Sequence, residues 1–161
     1  MAVDMFLKLD GVDGESVDAK YEKWIEILSF SWGISDGSKA TNLPGKAPSS
    51  RRAQVSDLSI TKYLDTSSPK LFEKCCEGEH IGGATLVMRK AGEKPLEFYK
   101  IKLQDVLISS VQNGGAGGGI ATELVSFSFS SSMISSADEK GTFTTVSSCG
   151  AASFDGLVER R

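Results

Sequence analysis

His80 is the only histidine in the chain, so any imidazole chemistry must pass through it. It stands in "GEHIGG", just past a helix stop. No Gly-x-Ser-x-Gly turn presents a serine to it. A Ser-His-Asp site would have to be assembled from serines on strand faces or in loops, so a solvent-exposed or capping histidine is the simpler reading. Metal chemistry has little to work with. His-x-x-His and Cys-x-x-Cys spacings are absent, and Glu77, Glu79 and His80 make only a weak cluster. Cys75, Cys76 and Cys149 fit neither a disulfide framework nor a zinc site, and read as small buried side chains in a reducing cytoplasm. The carboxylate pairs Asp4/Asp10 and Asp13/Glu15 lie in polar context and read as solvated turn residues. No catalytic, metal-binding or cofactor-binding residue is assigned.

The glycine run is the remaining chemical candidate. Five of the six residues from Gly114 to Gly119 are glycine, between "VLISSV" and "ELVSFSF". A phosphate loop leaves a strand and opens a helix, so that amide donors and the helix dipole converge on the anion. Here the residues after Gly119 alternate with period two, and no Lys-Ser or Lys-Thr follows. The run reads as a strand connection.

Most of the chain predicts strands. In "DMFLKL", Met5, Leu7 and Leu9 share a face opposite Lys8. In "IEILSFSWG", Leu28, Phe30 and Trp32 face one way, Ser29 and Ser31 the other. The apolar phase of "QVSDLSITKYL" shifts between Val55 and Leu58, which predicts a β-bulge. Ala84, Leu86 and Met88 alternate. Tyr99, Ile101 and Leu103 share a face, after which the pattern turns apolar on both faces. Val125, Phe127 and Phe129 alternate with Ser126, Ser128 and Ser130. "AGEKP" predicts a hairpin. One helix is predicted in "DTSSPKLFEKCCEGEH". Ser67 or Ser68 caps it, Pro69 sits in its first turn and Gly78 stops it. Its apolar face is Leu71, Phe72, Cys75 and Cys76; its polar face is Lys70, Glu73, Lys74 and Glu77. The stretch from Ile34 to Arg52 has no period and suits an arm that reaches a neighbour.

The 161 residues are 40% hydrophobic and 24% charged, with a net charge of −3, which bounds one globular domain over 1–161. No basic cluster alternates with aromatics, which argues against a nucleic-acid partner. No apolar run reaches the roughly 20 residues that span a bilayer. Asp4, Lys8 and Asp10 interrupt the start where a signal peptide needs an apolar stretch, so export by a classical signal is not expected.

Several ordered blocks carry a resemblance: "MAVDMFLKLDGVDGES", "KWIEILSFSWG", "DLSITKYLDTSSPKLFEKCCEGEHIGGATLVMRKAG" and "VLISSVQNGGAGG". Together, from Met1 to about Ser132, they resemble the haemolysin-coregulated protein (Hcp) family of type VI secretion. The resemblance implies a mainly β fold: a compact β-barrel of two antiparallel sheets with one flanking α-helix, like phage tail-tube proteins. It implies a ring of six subunits that stacks into a tube. A contractile sheath fires that tube from a bacterium, with sheath, spike proteins and secreted effectors as partners and effectors carried in the lumen. It implies a cytoplasmic pool secreted without a signal peptide, no cofactor, no membrane insertion and no enzymatic activity.

By the same resemblance, the serine matching Ser31 faces the lumen and contacts cargo; Ser29 is its same-face neighbour by strand alternation alone. The extended loop 34–52, with Asn42, Leu43, Pro44, Gly45 and Lys46 at its centre, contacts neighbouring subunits. The segment 133–161 departs from the family. "ISSA" from Ile134 and "FDGLVERR" from Phe154 replace a Tyr-x-Pro-Gln segment and a Gly-Trp pair, and seven of the eleven residues from Ser126 to Ser136 are serine. That departure puts the last strand in question. It leaves two alternatives to a tube subunit: a monomeric or weakly associating binding module, and a serine hydrolase using His80.

Overall fold

The structure, a computed structural model, describes residues 2–36, 53–92 and 94–149. It is mainly β, with a single α-helix among the described residues. The strands are β1 (Val3–Leu9), β2 (Ile25–Glu26), β3 (Ser29–Ser31), β4 (Ile34–Asp36), β5 (Ala53–Val55), β6 (Leu58–Tyr63), β7 (His80–Lys90), β8 (Leu96–Gly114), β9 (Thr122–Ala137) and β10 (Phe143–Cys149). The helix, α1, spans Ser68–Glu77. Eight strands form one antiparallel sheet in the order β2-β1-β7-β8-β9-β6-β3, with β10 also on β9; β4 and β5 form a separate two-stranded ribbon.

The two ends of the eight-stranded sheet are one piece of chain. β2 pairs with β1 and β3 pairs with β6. Between them the Ile27 amide donates to the Met5 carbonyl (3.1 Å), and the next amide, Leu28, donates to the Thr61 carbonyl (2.7 Å). Residues 25–31 therefore serve both edges and close the sheet into the expected barrel. Closure leaves no bare edge at that seam. The crossing also breaks the alternation. Ile27 is buried, but Leu28 and Ser29 are both exposed, so Leu28 does not join Phe30 and Trp32 as the pattern predicted.

Inside the barrel lie Leu7, Leu9, Ile25, Leu58, Ile60, Leu86, Ile101, Val106, Val125 and Phe127, each 2% exposed or less. Three strands change face along one line. Inward residues step by three from Ile81 to Ala84, from Leu103 to Val106 and from Phe129 to Ser132. These are paired neighbours: Ala84, Leu103 and Ser132 at one level, Ile81, Val106 and Phe129 at the next. All three strands spend two consecutive residues facing out at the same place, so the pairing keeps step while the sheet creases. Asp105, on the crease, takes φ +51°, uncommon for a residue with a side chain. The crease explains why β8 reads as apolar on both faces. A separate bulge follows between Ile108 and Ser110.

The bulge expected between Val55 and Leu58 is where β5 parts from β6. Ser31 pairs with Ser59 and Ile34 with Val55, so two residues, Trp32 and Gly33, face three, Ser56 to Leu58. "AGEKP" and the glycine run do join antiparallel neighbours, β7 to β8 and β8 to β9. The questioned last strand exists: β10 pairs with β9 from Phe143↔Ala137 to Cys149↔Ser131.

The helix has the expected bounds, with Pro69 in its first turn and Gly78 ending it at φ +62°. Its faces differ from the prediction. Leu71 is fully buried and Cys75 half-buried, but Phe72 is 56% exposed and Cys76 is exposed, while Lys74 is only 7% exposed. A narrow stripe, Ser68, Leu71 and Lys74/Cys75, meets the barrel. Lys74 lays its stem along that contact and carries its ammonium to Glu79 (2.9 Å). Nor does either serine cap by its side chain: Ser67 makes no such bond, and Ser68 is used elsewhere.

Ser68 belongs to a buried polar knot. Lys62 and Glu123 are paired across β6 and β9 at inward positions, 0% and 1% exposed. Lys62 Nζ lies 3.0 Å from Glu123 Oε2, 2.8 Å from Asp65 Oδ1, 3.0 Å from Ser68 Oγ and 2.9 Å from the Tyr63 carbonyl. Ser68 Oγ donates to Glu123 Oε2 (2.9 Å). The knot fastens the helix start to the barrel end. A buried charge without its partner is strongly unfavourable.

A second layer covers the outside. Phe6 and Val87, on the outer faces of β1 and β7, are buried under the 10–24 loop by Tyr21 and Trp24. Tyr21 stacks on Phe6 (4.5 Å) and meets Trp24 edge-on (5.0 Å). The Arg89 guanidinium lies 5.3 Å from both the Phe6 and Tyr21 rings. It donates to Asp4 (2.9 Å) and Asp18 (2.7 Å), so Asp4 is a strand residue in an ion pair, not a solvated turn residue. Glu97 accepts from Lys20, Tyr21 and Lys100. Burial alone would raise the Glu97 carboxyl, but those three partners outweigh it and bring it down to about 2.

Two outcomes follow for stability. Lys62→Ala should cost about 3–5 kcal/mol in denaturant unfolding, and the paired change Lys62→Met/Glu123→Leu should restore most of it; equal losses would mean the knot adds no charge-pair constraint. Glu97 is held below its unfolded value of about 4.3, so its contribution is complete above that pH and lost as pH falls towards 2. Glu97→Gln should therefore lie furthest below the parent at pH 6, with the gap narrowing in unfolding curves recorded down to pH 2.

Candidate functional site

The alternating strand β3 holds the two expected serines. Ser29 and Ser31 are exposed, and Phe30 between them turns inward. Phe30 stacks near Tyr99 (6.3 Å) and Trp32 near Phe129 (6.1 Å), which fixes the face that the serines present. The sheet adds neighbours that one strand cannot reveal. Ser31 lies opposite Ser59, Ser59 opposite Ser126, and Ser126 opposite Ser110. Ser59 Oγ and Ser126 Oγ share a hydrogen bond (2.9 Å). The result is a row of four serines across four strands, with Ser29 and Thr61 the next pair along β3 and β6. It offers small hydroxyl groups and no ionised side chain. Such a surface forms weak, adaptable hydrogen bonds and supplies neither a base nor an electrophile. The one signal available beforehand was parity, since Ser59 and Ser126 each sit between two inward residues.

His80 is at the crease. Its Nδ1 lies 2.7 Å from Asp105 Oδ1, and both side chains are more than half exposed. The bond to His80 holds the Asp105 carboxyl below the usual aspartate range, with a smaller contribution from Ser130. The carboxylate thus stands between imidazole and hydroxyl. Serine activation needs the imidazole in the middle, taking the serine proton while the carboxylate orients its other side. This order does not activate Ser130, whose hydroxyl donates to the Gln104 carbonyl (3.3 Å). The exposed position expected of His80 is what the structure has.

Among the described residues no group of three or more His, Cys, Asp or Glu is placed to hold a metal. Cys75 and Cys76 are free thiols, and Cys76 is exposed rather than buried, because its side of the helix faces away from the barrel. Gly118 (φ +85°) and the Gly119 amide, bonded to the Ala116 carbonyl, make a turn that leads into β9. No helix opens behind the glycines to focus an anion. Glu15 is tied to the start of α1 by accepting from the Thr66 amide (2.9 Å). No helix among the described residues is long and apolar enough to cross a membrane.

The 34–52 stretch begins with β4, Ile34–Asp36, and is followed by β4's ribbon partner β5. Asn42, Leu43, Pro44, Gly45 and Lys46 lie outside the described residues. The ribbon is joined to the barrel at Gly33 and Ser56. Ser56 Oγ accepts from the Gly33 amide (2.7 Å), and the Ser56 amide donates to the Gly33 carbonyl (2.9 Å).

With this geometry in view, comparison with known proteins is specific. Residues 6–135 match the family described as "Type VI secretion system effector, Hcp". The chain is 40% identical over 119 residues to protein hcp1 of Pseudomonas aeruginosa, covering 73% of this chain and 72% of that protein. The crystal structure of Hcp1 from Salmonella typhimurium superposes with a TM-score of 0.77 at 36% identity, over 92% of this chain and 95% of that one. A type VI secretion system effector from Yersinia pestis gives a TM-score of 0.77 at 32% identity, over 91% and 99%. A continuous family match across the barrel, joined to a barrel of the same shape, leads to one conclusion: the chain belongs to the Hcp family of the type VI secretion system.

Proposed function

We propose that this protein is a subunit of a type VI secretion inner tube. Six copies form a ring, rings stack, and secreted effectors travel in the lumen. The observation that carries the reading is the family match over 6–135. The sheath and spike are the other partners. The protein waits in the cytoplasm and is secreted when the tube is fired. Its work is geometric, and no turnover is assigned to it.

In this reading the row from Ser31 through Ser59 and Ser126 to Ser110, with Ser29 beside it, lines the lumen. Its support is the exposure of Ser29 and Ser31 and the lack of charge along the row. Uncharged hydroxyls hold cargo loosely, which suits cargo that must be released. The loop through Asn42–Lys46 reaches a neighbouring copy. Its support is the ribbon from which it springs, paired only within itself among the described residues. A closed ring needs one surface to meet a different surface of the next copy, and a projecting ribbon supplies one half of such a contact.

Light scattering after size exclusion should give a native mass near six times the chain's 17.2 kDa, and deleting Asn42–Lys46 should lower it while circular dichroism stays unchanged. A full-length chain that runs as a monomer would favour the binding-module alternative. Ser31→Gln should cut effector co-purification several-fold with the native mass intact; dissociated rings would instead place Ser31 at a subunit contact.

A further inference from the structure

The outer edge of β9 is shared by two strands. Residues 122–127 of β9 take β6, from Tyr63↔Thr122 to Leu58↔Phe127. Residues 131–137 take β10, from Cys149↔Ser131 to Phe143↔Ala137. Both strands run antiparallel to β9, so β10 and β6 lie end to end along it. Yet β5, not β10, precedes β6 in the chain, separated from it only by Ser56 and Asp57. Continuing the β6 register residue by residue would set Val55 against Ser130, Gln54 against Ser131 and Ala53 against Ser132. Ser131 and Ser132 already pair with Cys149 and Ser148. Two strands need the same backbone positions, and a β-strand edge takes one partner at a time.

We propose that β10 acts as a wedge that keeps the β4–β5 ribbon swung out of the barrel. With β10 seated, β5 is turned off β9 at Ser56 and its edge away from β4 carries no strand partner among the described residues. The turn-off is pinned by Ser56 on Gly33, and by Ser109 Oγ donating to Asp57 Oδ2 (2.7 Å). With β10 displaced, β5 extends β6 along β9 and the ribbon folds back. Seven paired residues on β10 against three available on β5 set the balance towards the swung-out state. This inference rests on the reading that the ribbon serves assembly. It couples the chain's divergent end to the arm that reaches a neighbour: the strand built from Phe143–Cys149 holds that arm ready.

The test uses the full chain with Cys75, Cys76 and Cys149 changed to Ser, carrying Gln54→Cys and Ser131→Cys. Directly opposed residues of an antiparallel pair sit about 4.5–5.5 Å apart at Cα, within disulfide range. Under mild oxidation the bridge should not form while β10 is intact. Adding Thr145→Pro and Val146→Pro should unseat β10, seen as faster amide exchange over Phe143–Cys149. The 54–131 bridge should then form at least tenfold faster, within a chain of monomer mass on a non-reducing gel. Equal bridging with β10 intact overturns the proposal, as does no bridging when β10 is released and β6 stays protected. If the prolines also expose β6, Phe143→Gly is the milder variant: it removes the ring beside Lys100 and keeps the backbone donors. Bridging faster than the parent supports the proposal, and an unchanged rate overturns it. Native mass is read separately. The bridge forms within one chain, so a monomeric parent would defeat the ring reading without deciding this one.

Discussion

Everything in this barrel depends on a short segment that satisfies two edges at once. Residues 25–31 bond to β1 through β2 and Ile27, then to β6 through Leu28 and β3. An open sheet of this length would leave two rows of unpaired backbone groups, and exposed edges invite association with any other strand. Joining both edges to one segment removes that hazard at the seam and closes the interior there. The inward faces of β1, β6, β7, β8 and β9 then have nowhere to turn but towards each other. The exposed Leu28 is the local consequence, since a chain that changes partner within two residues cannot keep strict alternation.

Curvature has its own device. A sheet wraps into a small barrel only if its strands bend, and the crease through Gly82–Gly83, Gln104–Asp105 and Ser130–Ser131 bends three of them at one level. Because each strand spends the same extra residue, the register is the same on both sides of the crease, and only the Asp105 level is skipped. The crease also sets His80 and Asp105 side by side on the outside, which accounts for their bond. The outer layer then covers what the bend turns outward nearby: the 10–24 loop folds over Phe6 and Val87, and Arg89 ties it to β1 through Asp4.

What could be read in the sequence was local. Period-two alternation located the strands, Pro69 and Gly78 bounded the helix, and the phase shift after Val55 marked the point where the ribbon leaves. Parity places Ser29 and Ser31 on one face; the proposal that this face lines a lumen comes from family resemblance. Non-local facts stayed hidden, though some left traces. Lys62 occupies the same inward phase as Leu58 and Ile60, and Glu123 that of Val125 and Phe127, so opposite charges at apolar positions already hinted at a buried pair. Apolar steps of three at Ile81–Ala84 and Leu103–Val106 were the mark of the crease. Phe6 and Val87, apolar on the supposedly wet face, foretold a second layer. Nothing local revealed that Ser59, Ser126 and Ser110 continue the row from Ser31, because each belongs to a different strand. The helix faces differ from the expected ones because Phe72 and Cys76 are apolar by type, whereas the contact with the barrel is only one stripe wide.

The two aromatic neighbourhoods also make the molecule easy to watch. It has two tryptophans. Trp32 packs against the barrel interior and Trp24 against the Phe6–Tyr21–Val87 layer outside. Intrinsic fluorescence is therefore a sum of two signals, one from each side of the same sheet. A chain carrying Trp24→Phe would glow only from within, and one carrying Trp32→Phe only from the outer coat. The difference between their emission traces is an optical record of whether the coat loosens before the barrel opens.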